Sequence, residues 1–142
     1  MRSKEMAKSY LEDAKIILDE AKIAFNKRIF HRVVRLCQEA TELALKACLR
    51  IIAIEYPKNH EVSDVLIENK DKFPEWFKEK IEYLNEASNW LSEKRGAAIY
   101  GDEIGGIPAL KLFDENDGKK ALEYANEVIR LAIKFFEEFY ST

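Results

Sequence analysis

Apolar residues recur at three- and four-residue intervals along most of the chain, the spacing that places side chains on one face of an α-helix. The first such segment covers about residues 3–26, and its stripe consists of Met6, Tyr10, Ala14, Ile17, Ala21 and Phe25. A second segment, about 28–54, carries Phe30, Val33, Cys37, Ala40, Ala44, Ala47, Ile51 and Ile54. Pro57 follows it and ends the helix, because proline cannot continue the backbone ladder.

Three further helices are predicted after this proline. A short one covers about 60–70, with Asn59 as a candidate N-cap. Pro74 suits the first turn of the next helix, where its missing N–H costs nothing. One face of that helix carries Phe77, Ile81, Leu84, Ser88 and Leu91. The last helix covers about 117–140. The pattern therefore predicts an all-α fold, an antiparallel up-and-down bundle of four long helices plus one short helix.

The last helix has two apolar stripes instead of one. The first contains Leu122, Ala125, Ile129, Ala132, Phe136 and Phe139. The second contains Tyr124, Val128, Leu131 and Phe135. One neighbouring helix does not easily cover so wide a surface, so the helix either lies at the centre of the bundle or has a second contact surface used for dimerisation.

Length and composition favour one soluble domain over residues 1–142. No apolar run exceeds four residues and the N-terminus is charged throughout, so we expect neither a membrane span nor a secretory signal. We therefore expect a cytoplasmic protein. The net charge of -3 argues against a general nucleic-acid coat. One glutamine against 16 lysines and 19 glutamates hints at a thermophilic source.

Few residues suggest a metal or cofactor site. Cys37 and Cys48 lie roughly 16 Å apart along one predicted helix, too far for a disulfide or a shared zinc ion, so reduced core thiols are expected. The chain lacks a CxxC pair, an HExxH motif, a phosphate-binding GxxxxGK[ST] loop and a nucleophile elbow. We expect no metal and no cofactor.

Arg95 is the main candidate for a functional residue. All five glycines fall between residues 96 and 118, so a loop is expected just after this arginine. Continuing the apolar stripe by four residues from Leu91 reaches Arg95, which predicts that its side chain points inward from the helix end. The guanidinium could bind a phosphate, or it could form a salt bridge with Asp102 or Glu103 that pins the loop. The two roles are compatible if a ligand displaces the carboxylates.

A second group of basic residues lies near the start of the second helix. Arg28, Arg32 and Arg35 are at helical spacing, and His31 lies beside them. They form either a solvated face paired with nearby glutamates or a docking patch for RNA phosphates or an acidic partner.

Residues 35–66 resemble the second helix and the following turn of HEPN domains. The positions that carry the resemblance are Gln38, Ala40, Lys46, Pro57, Lys58 and His60. The first helix fits the opening helix of that family, and the segment RGAAIYGDE, residues 95–103, is similar to a helix-end segment of archaeal members. The resemblance thus covers nearly the whole chain.

The resemblance implies a helical bundle that pairs into a homodimer. Many family members partner a minimal nucleotidyltransferase, and others are metal-independent ribonucleases, including toxins of toxin–antitoxin pairs, with an Arg-x4-6-His motif. Here Tyr100 occupies the histidine position after Arg95. Tyrosine, with a reference pKa of about 10, is a poor base at neutral pH. The tyrosine at this position therefore favours a binding protein over an enzyme.

Two hypotheses follow from the presence of Tyr100 at the histidine position. In the first, a homodimer partners a minimal nucleotidyltransferase, and Arg95, Tyr100, Asp102 and Glu103 bind nucleotide or RNA phosphate. In the alternative, the protein is a metal-independent endoribonuclease toxin that uses Arg95 with Tyr100 or His60 as the proton carrier. A structural role for His60, as a capping or packing residue, is also open.

Overall fold

The computed structural model describes residues 2–55 and 61–141, and for Arg2 the backbone only. In chain order its elements are α1 (Arg2–Asn26), α2 (Phe30–Ile51), α3 (Val62–Glu68), a 3-10 turn (Lys70–Lys72), α4 (Glu75–Lys78), α5 (Ile81–Tyr100), α6 (Ala109–Leu112) and α7 (Glu115–Tyr140). The four long helices are α1, α2, α5 and α7. The predicted all-α bundle is confirmed.

Contacts between helix ends show that α1 and α7 run in opposite directions. The start of α1 lies against the end of α7, since the Lys4 ammonium is 5.1 Å from the centre of the Tyr140 ring. At the opposite end of α7, Gly118 packs so closely on Phe25 and Phe30 that an added Cβ would lie 2.9 Å from the Phe30 ring. The start of α7 therefore lies beside the turn between α1 and α2.

Helix α2 is the centre of the bundle, because it packs against α1, α5 and α7. Ala40, Ala44 and Ala47 are fully buried on it, and their small side chains allow the neighbouring helices to approach closely. Both cysteines are free and buried in the same core, and burial raises the pKa of Cys37 to about 12. Buried, protonated thiols are consistent with a packing role.

The double apolar surface of α7 is largely covered within one subunit. Tyr124, Val128, Leu131 and Phe135 are buried. Ala125, Ile129 and Ala132 are buried as well. Helix α7 packs against α1, α2 and α5, which accounts for both stripes through most of their length. A dimer contact remains a prediction, and the exposed aromatic ring nearest the end of the helix is Phe139.

Several predicted boundaries were wrong by a few residues. The helix expected from Pro74 onwards is divided into α4 and α5, and Pro74 is the N-cap of α4 instead of its first residue. Helix α2 is shorter than expected because Arg28 and Ala53, with φ of 59° and 61°, adopt the left-handed conformation on either side of it. That conformation is incompatible with a right-handed helix and ends it.

The loop after α5 is a compact turn. Gly101, with φ of 74°, ends the helix, and Asp102 and Ile107 then exchange two backbone hydrogen bonds. The Asp102 carboxylate accepts a further hydrogen bond from the Gly105 N–H at 2.9 Å. Helix α6, which the sequence pattern did not predict, follows this turn. Across residues 2–55 and 61–141, no helix is apolar enough over sufficient length to cross a membrane.

Replacing Tyr124 with phenylalanine should lower the free energy of unfolding by about 1 kcal/mol. The buried Tyr124 donates its O–H to Glu86 at 3.0 Å, which ties α7 to α5, and burial together with this carboxylate raises the pKa of Tyr124 to about 12. Tyr83→Phe is the matched control, because the Tyr83 ring lies 5.7 Å from the Tyr124 ring but its hydroxyl makes no such bond among the described residues. Urea unfolding of both variants measures the difference, and equal losses would contradict it.

Candidate functional site

A polar groove lies between α2 and α5, with a volume of about 380 Å³. It is lined by Gln38, Glu42, Glu61, Ser92, Arg95 and Gly96. We call it the α2–α5 groove. Helix α2 supplies Gln38 and Glu42, and α5 supplies Ser92, Arg95 and Gly96. The two helices pack directly against each other, so the groove has a rigid base.

Arg95 reaches this groove from an exposed position. The prediction that its side chain points inward was therefore wrong. The buried face of α5 continues from Leu91 to Ala98, seven residues later, and Arg95 lies beside that line, where its long side chain extends to solvent at the groove. Its location still brings a guanidinium to a concave surface.

The guanidinium of Arg95 has no partner among the residues that the structure describes. The salt bridge to Asp102 or Glu103 that the sequence left open does not form, since no carboxylate lies within 4.0 Å of it in the described segments. Asp102 is instead engaged in its own turn. Three other arginines do make ion pairs: Arg28 with Glu115, Arg50 with Glu55 and Arg130 with Glu127.

The remaining residues proposed to act with Arg95 lie elsewhere on one subunit. Tyr100 is five residues further along α5, so it projects about 140° away from Arg95 around the helix, and its side chain is 70% exposed. Asp102 and Glu103 are exposed in the turn beyond. None of the three lines the α2–α5 groove. Their joint action on one phosphate therefore stays a prediction, as does any contribution of His60, which lies outside the described residues together with Pro57, Lys58 and Asn59.

The groove contains polar groups that sequence reasoning did not assign to it. Gln38 is only 6% exposed, and its amide makes no hydrogen bond with any part of the chain that the structure describes. Ser92 donates its hydroxyl to Glu61 across the groove at 3.3 Å. The sequence does show that Gln38 is a polar residue on the face of α2 that includes Val34, Thr41 and Leu45, which are buried. Pairing it with Ser92 requires the packing of α2 on α5, which a sequence pattern does not supply.

The basic group at the start of α2 is smaller than expected. Arg28 was predicted to share a face with Arg32 and Arg35, but it precedes the helix in the left-handed conformation. Its guanidinium binds Glu115 at 2.8 Å, which joins the α1–α2 turn to the start of α7. Arg32 and Arg35 are exposed and make no ion pair within the described chain, so pairing with neighbouring glutamates is not observed for them. Docking of RNA on these two arginines stays a prediction.

His31 should make the folded protein less stable as the pH falls below about 6.5. Burial lowers the pKa of His31 from its ordinary value of 6.5, and the neighbouring positive charges of Arg32 and Arg35 lower it further. The unfolded chain therefore takes up this proton more readily than the folded protein does. The stability contribution of neutral His31 is complete above pH 6.5 and is lost as the pH falls towards the lower pKa of the folded state.

Thermal unfolding of the wild type and of His31→Gln between pH 7.5 and 5.5 measures this effect. The melting temperature of the wild type should decrease more over that interval than that of the variant. His60 and the carboxylates are common to both proteins, so their titration cancels in the comparison. Parallel pH profiles would contradict the prediction.

A comparison with protein-family models matches the HEPN domain over residues 7–136. The chain belongs to the HEPN domain family. The matched range of this HEPN chain extends from the first turns of α1 into α7 and includes both sides of the α2–α5 groove. Comparisons with curated proteins and with solved structures found no match. Within the described residues, no group of three or more histidine, cysteine, aspartate or glutamate side chains is arranged to hold a metal ion.

Proposed function

We propose that this HEPN protein is a homodimeric binding protein that partners a minimal nucleotidyltransferase, and that its α2–α5 groove binds a nucleotide through Arg95. The observation that carries the proposal is a guanidinium without an ion-pair partner among the described residues, at the edge of a polar groove that the Gln38 amide also lines. Arginine suits phosphate because its planar fork donates two parallel hydrogen bonds and its charge is permanent.

The composition of the groove favours a nucleotide over a free phosphate ion. Glu42 and Glu61 also line it, and their negative charges would repel a bare phosphate that entered between them. A nucleotide can instead place its phosphate at Arg95 and its uncharged base beside the carboxylates, which accept hydrogen bonds from N–H groups. The groove volume of about 380 Å³ is within the range of pockets that bind small molecules.

Arg95→Ala should weaken the binding of nucleoside monophosphates about 10- to 100-fold, because a hydrogen bond to a charged group contributes about 1.5–3 kcal/mol. Isothermal titration calorimetry with the full chain measures the dissociation constants. The matched control is Arg130→Ala, which removes an exposed arginine that is paired with Glu127 on α7. Equal effects of the two substitutions would show that Arg95 acts only through overall charge.

The partner is tested separately from the ligand. Affinity purification of the tagged protein from its native source should recover a minimal nucleotidyltransferase, and light scattering on the purified protein should give twice the 16.5 kDa mass of one chain. Recovery of the protein alone, as a stable monomer, would overturn the partner and dimer parts of the proposal and leave the nucleotide part to the binding experiment.

A further inference from the structure

The only glutamine of the chain lies where a ligand in the groove would reach it. Gln38 is 6% exposed and lines the α2–α5 groove, and its amide forms no hydrogen bond with a described residue. The buried side-chain polar atoms without a hydrogen bond in the described chain are Thr41 Oγ1 and Ser63 Oγ, so the Gln38 amide is open to the groove. A molecule that enters the groove can therefore exchange hydrogen bonds with this amide.

A free carboxylate stands next to this amide. Glu42 follows Gln38 by four residues in α2, and residues at this spacing are neighbours on one helix face. Both line the groove, and Glu42 makes no ion pair with any residue that the structure describes. Glu61, by contrast, accepts a hydrogen bond from the Ser92 hydroxyl. The α2 wall therefore presents a hydrogen-bond donor beside a pair of acceptor oxygens, with Arg95 on the α5 wall.

We infer that the α2–α5 groove selects guanine nucleotides, with Glu42 and Gln38 reading the base. This inference rests on the proposed function, because Arg95 holds the phosphate in both. Guanine presents two neighbouring donors, N1–H and the N2 amino group, beside the O6 acceptor. The Glu42 carboxylate accepts from the two donors, and the Gln38 amide N–H donates to O6.

The other bases fit this pair less well. Adenine and cytosine each present one amino group beside a ring nitrogen that is an acceptor, and a carboxylate placed there would face a lone pair. Uracil has one N–H between two carbonyl oxygens, so it satisfies only one carboxylate oxygen. A bidentate contact to the correct base discriminates by roughly tenfold or more.

Calorimetric titration of the full chain with GMP, AMP, UMP and ribose 5-phosphate tests the inference. We expect GMP to bind at least about tenfold more tightly than the other three. Similar affinities for all four compounds would overturn the guanine assignment and leave the proposed function standing. If none of the four compounds binds, the nucleotide part of the proposed function is overturned as well.

Two variants test the assigned residues. Glu42→Gln should weaken GMP binding about tenfold with little change for AMP, whereas Glu39→Gln, an exposed neighbour outside the groove, should change neither. Gln38→Met keeps the length of the side chain and removes an amide that has no hydrogen-bond partner in the described chain, so the variant should unfold at no lower a temperature and still bind GMP more weakly. Retention of the full GMP preference in both variants would exclude these two residues as the base-reading pair.

Discussion

Gly96→Met should weaken nucleotide binding on the order of 100-fold, because occlusion of the groove removes both the arginine and the base contacts at once. Gly96 lines the α2–α5 groove, and a Cβ built on it meets no atom within 4 Å. A methionine side chain therefore extends into open space that a ligand would need. The backbone at Gly96 is helical, so the substitution introduces no strain there.

The same substitution should raise the melting temperature of the protein. Glycine in a helix interior is about 1 kcal/mol less favourable than alanine, and methionine is close to alanine, which corresponds to a few degrees for a chain of this size. Loss of binding would then come with gained stability, which a misfolded variant cannot show. Differential scanning calorimetry and titration with GMP measure the two quantities on the same sample.

Gly96→Ala is the matched control for this experiment. It gives the same gain in helix propensity but adds only a methyl group, so binding should remain within a few-fold of the wild type. If Gly96→Met binds GMP as well as Gly96→Ala does, the groove is not the binding site. Arg95 would then have to act from its exposed position outside it.

The long helices could be predicted from the sequence because their stripes repeat over five or more turns. The bounds of α1 and α7 were within about two residues of the structure. The predicted ends of α2 were wrong because the backbone conformation of a single residue decides where the helix stops at each end. Arg28 and Ala53 are not residues that normally favour a positive φ, so nothing in their identity marked the two ends of α2.

The candidate site could be predicted only in part. Arg95 was identified because it follows an apolar stripe and precedes a glycine-rich loop. Its exposure was missed because extending the stripe by four residues, and not by seven to Ala98, gave the wrong face of α5. Gln38 was recognised as part of the family resemblance, but its place in a groove depends on how α2 and α5 pack, and residues 38 and 95 are far apart in the chain.

Phe135→Ala should lower the free energy of unfolding by about 3–5 kcal/mol, the largest effect on stability that we expect from one substitution in α7. Phe135 is 2% exposed, and its ring centre lies 5.2 Å from that of Phe73 and 5.1 Å from that of Phe77. Phe73 and Phe77 in turn stack at 4.3 Å. These three rings pack the segment around α4 against the end of α7. Removing the Phe135 ring therefore leaves a cavity between these two elements.

Phe139→Ala is the matched control, because it removes the same side chain one turn further along the same helix. Phe139 is 50% exposed, and its ring centre lies 5.8 Å from that of Phe135 and 5.0 Å from that of Tyr140. Within one subunit it should cost no more than about 1 kcal/mol. Urea unfolding at several protein concentrations distinguishes a ring at the surface from a ring buried in a dimer contact. A small, concentration-independent loss for Phe139→Ala agrees with a ring that is merely at the surface. A loss as large as that of Phe135→Ala at high protein concentration, shrinking as the protein is diluted, would instead show that Phe139 is buried between two copies of the chain.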